Sequence, residues 1–154
     1  MTTQTATRWL SDTEQQTWRR WLALNAQLPA LLHRELQRDS ELSLPDFDVL
    51  VQLTDDDRGR VRIAQLAEAL QWERSRLSHH VTRMARRGLV EKEDCLDDGR
   101  GSFVVLTSAG RAAIERAAPA HVRTVRRAFF DALSDEDVVL LGEMTEKVLA
   151  QLRS

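Results

Sequence analysis

The sequence predicts a mostly α fold: a winged helix-turn-helix flanked by a helical dimerisation region drawn from both termini. Three observations predict it. Apolar residues recur at helical spacing along most of the chain, with polar and charged residues between them. Two of these helical patterns, "VRIAQLAEAL" and "RSRLSHHVTRMARR", are separated only by the turn "QWE". Directly afterwards, "LVEKEDC" and "SFVVL" are β-rich runs around the glycine-bearing "LDDGRG", the pattern of a hairpin.

The elements follow in order. "LSDTEQQTWRRWLALNAQLPALLHRELQ" is a long first helix opened by Ser11 and Glu14, a capping box in which each side chain satisfies the other residue's backbone N–H. Trp18, Trp21, Leu22, Leu28, Leu32 and Leu36 form its apolar stripe. Pro29 is expected to kink or split it, because proline removes a helical hydrogen bond. "SLPDFDVLVQLT" is a shorter helix with Ser43 as N-cap and Pro45 in the first turn. "DDDRGR" reads as a loop, and "VRIAQLAEALQ" as a short strand leading into a helix that packs through Ile63, Leu66, Ala67 and Leu70. The next helix runs from about Arg74 to Arg87 and stops at Gly88, a residue suited to the left-handed cap. After the hairpin, Thr107 or Ser108 caps "AGRAAIERAAPAHVRTVRRAFFDAL", with a second kink expected at Pro119. "SDEDVVLLGEMTEKVLAQL" is the last helix, with acids in its first turn where the macrodipole favours them.

A chain of 154 residues accommodates one domain. We read residues 44–107 as the winged lobe and residues 8–40 and 108–154 as the dimerisation region. With 42% hydrophobic and 30% charged residues the chain resembles a soluble globular protein. It has no long uncharged apolar run to span a membrane, and its start has no apolar core of a secretion signal. A single cysteine, Cys95, excludes an intramolecular disulfide framework. These features predict a cytoplasmic protein.

Charge is unevenly spread. Arg74, Arg76, Arg83, Arg86, Arg87 and Lys92 face only Glu91 between Arg74 and Lys92, a local +5 in a chain of net charge −2. The rest of the molecule therefore carries −7. An acidic whole does not exclude an anionic partner, since the local field of one face decides. On a helical wheel Leu77, Val81 and Met84 make a buried seam, with Ala85 beside it and His80 nearby. Ser75, His79, Arg83 and Arg86 lie opposite, flanked by Arg76 and Thr82. Most charge runs are merely solvated faces. Here short donors and acceptors mix with arginine, a three-residue turn precedes the helix, and a hairpin bearing Arg100 follows it. That order suits a helix in the major groove of duplex DNA and a wing probing the neighbouring minor groove.

Residues Asp98 to Gly110, "DGRGSFVVLTSAG", resemble the wing signature of the multiple-antibiotic-resistance regulator (MarR) family, Asp-x-Arg-x-x-x-Val-x-Leu-Thr-x-x-Gly. Asp98, Arg100, Val104, Leu106, Thr107 and Gly110 each match it. "SRLSHHVTRMARRGLV" is similar to the family's recognition helix and exit, and the flanking helices extend the likeness over nearly the whole chain. The resemblance implies a homodimeric repressor or activator whose terminal helices form the dimer. It also implies a sensor site for a small molecule or oxidant where the dimer and DNA-binding lobes join. Arg100 matches the wing arginine that enters the minor groove, and Asp98 the acid that braces its turn. Ser75, Arg76, Ser78, His79 and Arg83 match positions facing bases or phosphates. Adjacent His79 and His80 depart from the commoner pattern, which has a basic or amide residue there.

Other residues weigh less. Val138, Leu141, Met144, Val148 and Leu152 form one stripe of the last helix, with Val139, Leu140 and Leu149 beside it. So broad a stripe predicts packing against both chains of a dimer; packing within one chain on the first helix is the alternative. Cys95 lies among Glu93, Asp94 and Asp97, which disfavour a thiolate, so packing is the expectation over redox sensing. His33, His79, His80, His121 and Cys95 lack compact ligand spacing, so no metal or cofactor is expected. Trp18, Trp21 and His33 are candidates for an effector pocket, with an aromatic acid as a suitable ligand; core and dimer packing is the plainer alternative. No nucleophile–base arrangement or phosphate-binding glycine loop points to an enzyme. The competing functions are a metal- or redox-sensing regulator of the same build, and a module binding an acidic protein through its cationic face.

Overall fold

Four helices begin where a hydroxyl can close them. Ser11, Ser43, Thr107 and Ser134 each accept a hydrogen bond from the backbone N–H three residues on. In the three serine cases the third residue, Glu14, Asp46 or Asp137, returns a bond to the cap's own N–H. In the computed structural model, which describes residues 6–94 and 101–154, these caps set the order of elements. Helices α1 (Asp12–Asp39) and α2 (Leu44–Asp55) lead to strand β1 (Arg60–Arg62). Helices α3 (Ile63–Leu70) and α4 (Arg74–Arg86) follow, then strands β2 (Val90–Asp94) and β3 (Ser102–Leu106). Helix α5 (Ser108–Ala128), a 3-10 turn (Phe130–Ala132) and α6 (Asp135–Arg153) complete the chain.

The strands form one antiparallel sheet in the order β1-β3-β2, so β1 turns the two-stranded wing into a three-stranded base. Arg60 pairs with Val105 and Val90 with Leu106. Asp56 aims β1: its Oδ1 accepts from the N–H groups of Arg58 and Arg60, and Gly59 crosses the turn at φ 63°. The core lies among α2, α3, α4 and the sheet, where Leu50, Leu53, Leu66, Leu77, Val81, Met84 and Val104 are fully buried.

Two expectations change. Of the two outcomes expected at Pro29 a split does not occur: α1 runs through it, as α5 runs through Pro119. The carbonyls these prolines leave free belong to exposed residues, Asn25 and Glu115, where water can satisfy them. Helix α5 also stops earlier than its pattern suggested, because Phe129 and Phe130 pack edge to face and the chain tightens into the 3-10 turn.

The helix-turn-helix depends on backbone closure at two helix ends. At the end of α3, Gln71 takes φ 55° while Trp72 N–H reaches the Ala67 carbonyl at 2.9 Å. At the end of α4, Gly88 takes φ 77° while Leu89 N–H reaches Met84 at 3.1 Å. Both are closures that satisfy the last helical carbonyls and reverse the chain. The exit from the wing is then fastened to the exit from α4. The Thr107 hydroxyl lies 2.6 Å from the Gly88 carbonyl oxygen and 2.9 Å from that of Leu89. Gly110, one turn into α5, lets the helix press on the backbone of Leu89; a Cβ there would collide with the Leu89 carbonyl.

The termini behave differently. In α1 only the last turns pack, on α5, with Leu36 buried; Trp18, Trp21 and Leu22 stand exposed. Helix α6 has no buried residue and barely touches the rest of the chain. No helix among the described residues is long and apolar enough to cross a membrane.

Gly110→Ala should cost about 1–3 kcal/mol, the penalty for forcing atoms into a filled site. Chemical denaturation would measure it, and an unchanged midpoint would mean that α5 does not rest on Leu89. Gln71→Gly should raise stability slightly, by under about 1 kcal/mol, since it relieves a left-handed backbone but forfeits the bond from the Gln71 side chain to the Glu68 carbonyl.

Candidate nucleic-acid interface

Helix α4 buries Leu77, Val81 and Met84 completely and turns its opposite side to solvent. Ser75, Arg76, His79, Arg83 and Arg86 are exposed there; Ser78 and Thr82 are half-buried at its edge. The assigned faces therefore stand as the wheel has them. Two of the hydroxyls have local duties. Thr82 donates to the Ser78 carbonyl at 2.9 Å, and Ser78 Oγ receives Lys92 Nζ from β2 at 3.1 Å. Arg76 stacks on the Trp72 ring, its guanidinium carbon 4.5 Å from the centroid, so the turn residue braces a cation on the helix face.

One arginine counted in the cationic run faces another way. Arg87 Nη1 donates to Asp46 Oδ2 at 2.6 Å and Nη2 to the Glu41 carbonyl at 2.8 Å. The +5 of the sequence is thus not all available to an outside anion. Asp46 is buried, with side-chain exposure of only 2%. It also accepts from the Ser43 N–H, and its Oδ1 faces His80 Nε2 at 2.9 Å along a bent approach. Burial pushes this carboxyl up; His80, Arg87 and the Ser43 N–H outweigh it and hold it well below the usual carboxylate range. The capping role of Asp46 is legible in "SLPD", but its partners on α4, up to 41 residues away, are not.

At the wing base two arginines share one aromatic ring. Arg60 lies over the Phe103 ring at 3.6 Å and bonds Glu93 at 2.7 Å, while Arg62 lies over the same ring at 4.7 Å. Asp98 and Arg100, expected at the wing tip, fall outside the described residues, as does Cys95. Trp18 and Trp21 do not meet His33 within one chain. Twelve and fifteen residues along one continuous helix separate them by roughly 18–22 Å. His33 Nδ1 instead accepts the N–H of Leu44, fixing the α1–α2 corner. His121 stacks on Phe47 at 4.3 Å between ring centroids, and burial pushes its pKa down, so it packs as a neutral ring.

This geometry matches known proteins along almost its full length. The crystal structure of AbsC, a MarR family transcriptional regulator from Streptomyces coelicolor, superposes with a TM-score of 0.87 at 41% identity, covering 96% of this chain and 99% of that one. The chain belongs to the MarR family. Sco3205, a MarR family regulator from the same organism solved in complex with DNA, gives 0.90 at 39% identity, with 97% and 94% covered. A model of the MarR family matches residues 40–101, from the α1–α2 corner into the wing. An HTH-type transcriptional regulator of Bacillus cereus is 28% identical over 131 residues, 85% of each chain. As a member of this family the protein is a winged helix-turn-helix transcriptional regulator and not an enzyme. Its Thr107 and Gly110, matched first as letters of a MarR signature, are the residues that fasten the wing to the end of α4.

Asp46→Asn should cost about 2–4 kcal/mol at neutral pH, because it leaves His80 and Arg87 without their anion. The native carboxyl titrates below its unfolded value of about 3.9. Its contribution is therefore complete above that value and is lost as pH falls through the native one. Urea melts of both proteins should begin to converge below about pH 4 and keep closing as pH falls further. A gap that stays constant down to pH 2 would remove Asp46 ionisation from the stability of the lobe.

Proposed function

We propose that the protein binds duplex DNA as a homodimer, acting as a ligand-responsive repressor at a pseudo-palindromic operator. The observation that carries DNA binding is the face of α4: Arg76, His79, Arg83 and Arg86 project opposite a fully buried seam. Sco3205, similar at 39% identity and solved with DNA, supports the same use of the fold. We assign base or phosphate contacts to Ser75, Arg76, Ser78, His79, Thr82, Arg83 and Arg86, with Asp98 and Arg100 at the wing.

The dimer reading rests on apolar surface. Val139, Val148 and Leu152 of α6 are 61%, 61% and 76% exposed, and Trp18, Trp21 and Leu22 of α1 and Val122 of α5 are exposed with them. A helix with no buried residue and so many apolar ones needs a partner, and a second copy offers the same surfaces. Residues 8–40 and 108–154 form this region, and two-fold symmetry would set two α4 helices about 34 Å apart. An aromatic acid remains the effector class we favour. Because Trp18 and Trp21 lie far from His33 in one chain, a pocket using them must be closed by the partner subunit.

Fluorescence anisotropy with duplex DNA at several salt concentrations tests the DNA reading. A steep loss of affinity with salt is expected, whereas no binding at low salt would favour an acidic protein partner. Arg83→Ala should lower the log–log salt slope by about 1 per site, so about 2 for a dimer. Leu77→Ala should cost about 2–5 kcal/mol of stability and leave that slope unchanged in the folded protein. Early melting of Arg83→Ala with a wild-type slope would mean that Arg83 serves packing and not DNA.

Sedimentation should give a dimer at micromolar concentration for the wild type. The double substitution Val139→Glu, Val148→Glu should give a folded monomer, since neither side chain is buried in its own chain. A wild-type monomer at that concentration would contradict the assembly.

A further inference from the structure

We propose that His80 is a positioning residue for DNA recognition, standing on Asp46 through Nε2 and holding the Arg83 guanidinium through Nδ1. The inference rests on the reading of α4 as the DNA-contacting helix. Arg83 Nη2 lies 3.2 Å from His80 Nδ1. A guanidinium has donors only, so Nδ1 must accept, and the ring hydrogen sits on Nε2. On its other edge Nε2 faces Asp46 Oδ1 at 2.9 Å, which favours a hydrogen there as well. The Arg83 contact selects this tautomer, and the bent approach to Asp46 is compatible with it.

The surroundings keep the ring in place. The His80 side chain is 12% exposed, and Trp72 meets it edge-on with centroids 5.7 Å apart. Arg83, by contrast, is exposed on the outer face. A long, flexible cation is thereby tied at one nitrogen to a buried, carboxylate-anchored ring. Its remaining donors point from a restricted range of positions, which reduces the rotamer entropy lost on meeting a phosphate or base edge. Histidine suits this post because one ring offers an acceptor outward and a donor inward.

Two amides separate the functions. Asparagine places an oxygen near the position of Nδ1 but falls short of Asp46; glutamine reaches Asp46 with an N–H but leaves no acceptor near Arg83. The probe is a duplex enriched from a random library by the wild-type protein, read by anisotropy alongside thermal melting. His80→Gln is expected to melt close to wild type and to bind about three- to tenfold more weakly, the worth of one hydrogen bond. His80→Asn is expected to melt earlier yet bind within about twofold of wild type when folded. In an Arg83→Ala background, His80→Gln should lower affinity no further. Wild-type affinity in His80→Gln, equal losses in both amides, or a loss that persists without Arg83 would each overturn the positioning role. Failure of the wild type to enrich or bind any duplex would instead overturn the DNA reading beneath it.

Discussion

The winged lobe depends on one buried carboxylate. Asp46 closes the first turn of α2 through Ser43 and grips α4 at two points, His80 midway and Arg87 just past its end. Hydrophobic burial alone would let α4 roll about its axis, since Leu77, Val81 and Met84 define a stripe and not an angle. A polar contact at the side of the stripe and another at the helix end remove that freedom. The cost is desolvation of a charge, which three partners offset; losing any one exposes the rest of the network to that cost.

Closure of the wing repeats this logic with neutral groups. Thr107 and Gly110 are spaced so that the hydroxyl reaches the carbonyls at the end of α4 while the missing Cβ lets α5 approach them. Sheet, α4 and α5 therefore meet at Gly88 and Leu89. The order of residues in the signature reflects this junction, where a left-handed glycine, a buried leucine and a capping threonine must coincide.

Local features were legible in the sequence and long-range ones were not. Caps at Ser11, Ser43 and Thr107, the three-residue turn and the two faces of α4 follow from spacing of a few residues, and the structure has them. Pro29 does not split α1, because water can replace the lost hydrogen bond at an exposed Asn25. Arg87 misled because charge counting cannot tell a cation facing outward from one turned back to a carboxylate in another helix. The pairing of His80 with both Asp46 and Arg83 needed the fold, since only the fold brings α2 beside α4. The distance of Trp18 and Trp21 from His33 also needed the fold, since it depends on α1 running unbroken through Pro29.

The same constraint bears on how α5 is joined to the winged lobe. Phe47 and Asp46 are consecutive on α2, yet they face different neighbours: Phe47 stacks on His121 of α5, and Asp46 holds α4. Helix α5 belongs to the region with exposed apolar surface, while α4 carries the cationic face. Thus α5 meets α4 in two ways, directly at Gly88 and Leu89 and through α2, in an interior with few voids. The contacts on the two sides of α2 are a tilted ring pair and a buried ion pair. Between them these contacts fix how α2 sits against both neighbours, so the spacing of α5 and α4 is set by side chains of α2.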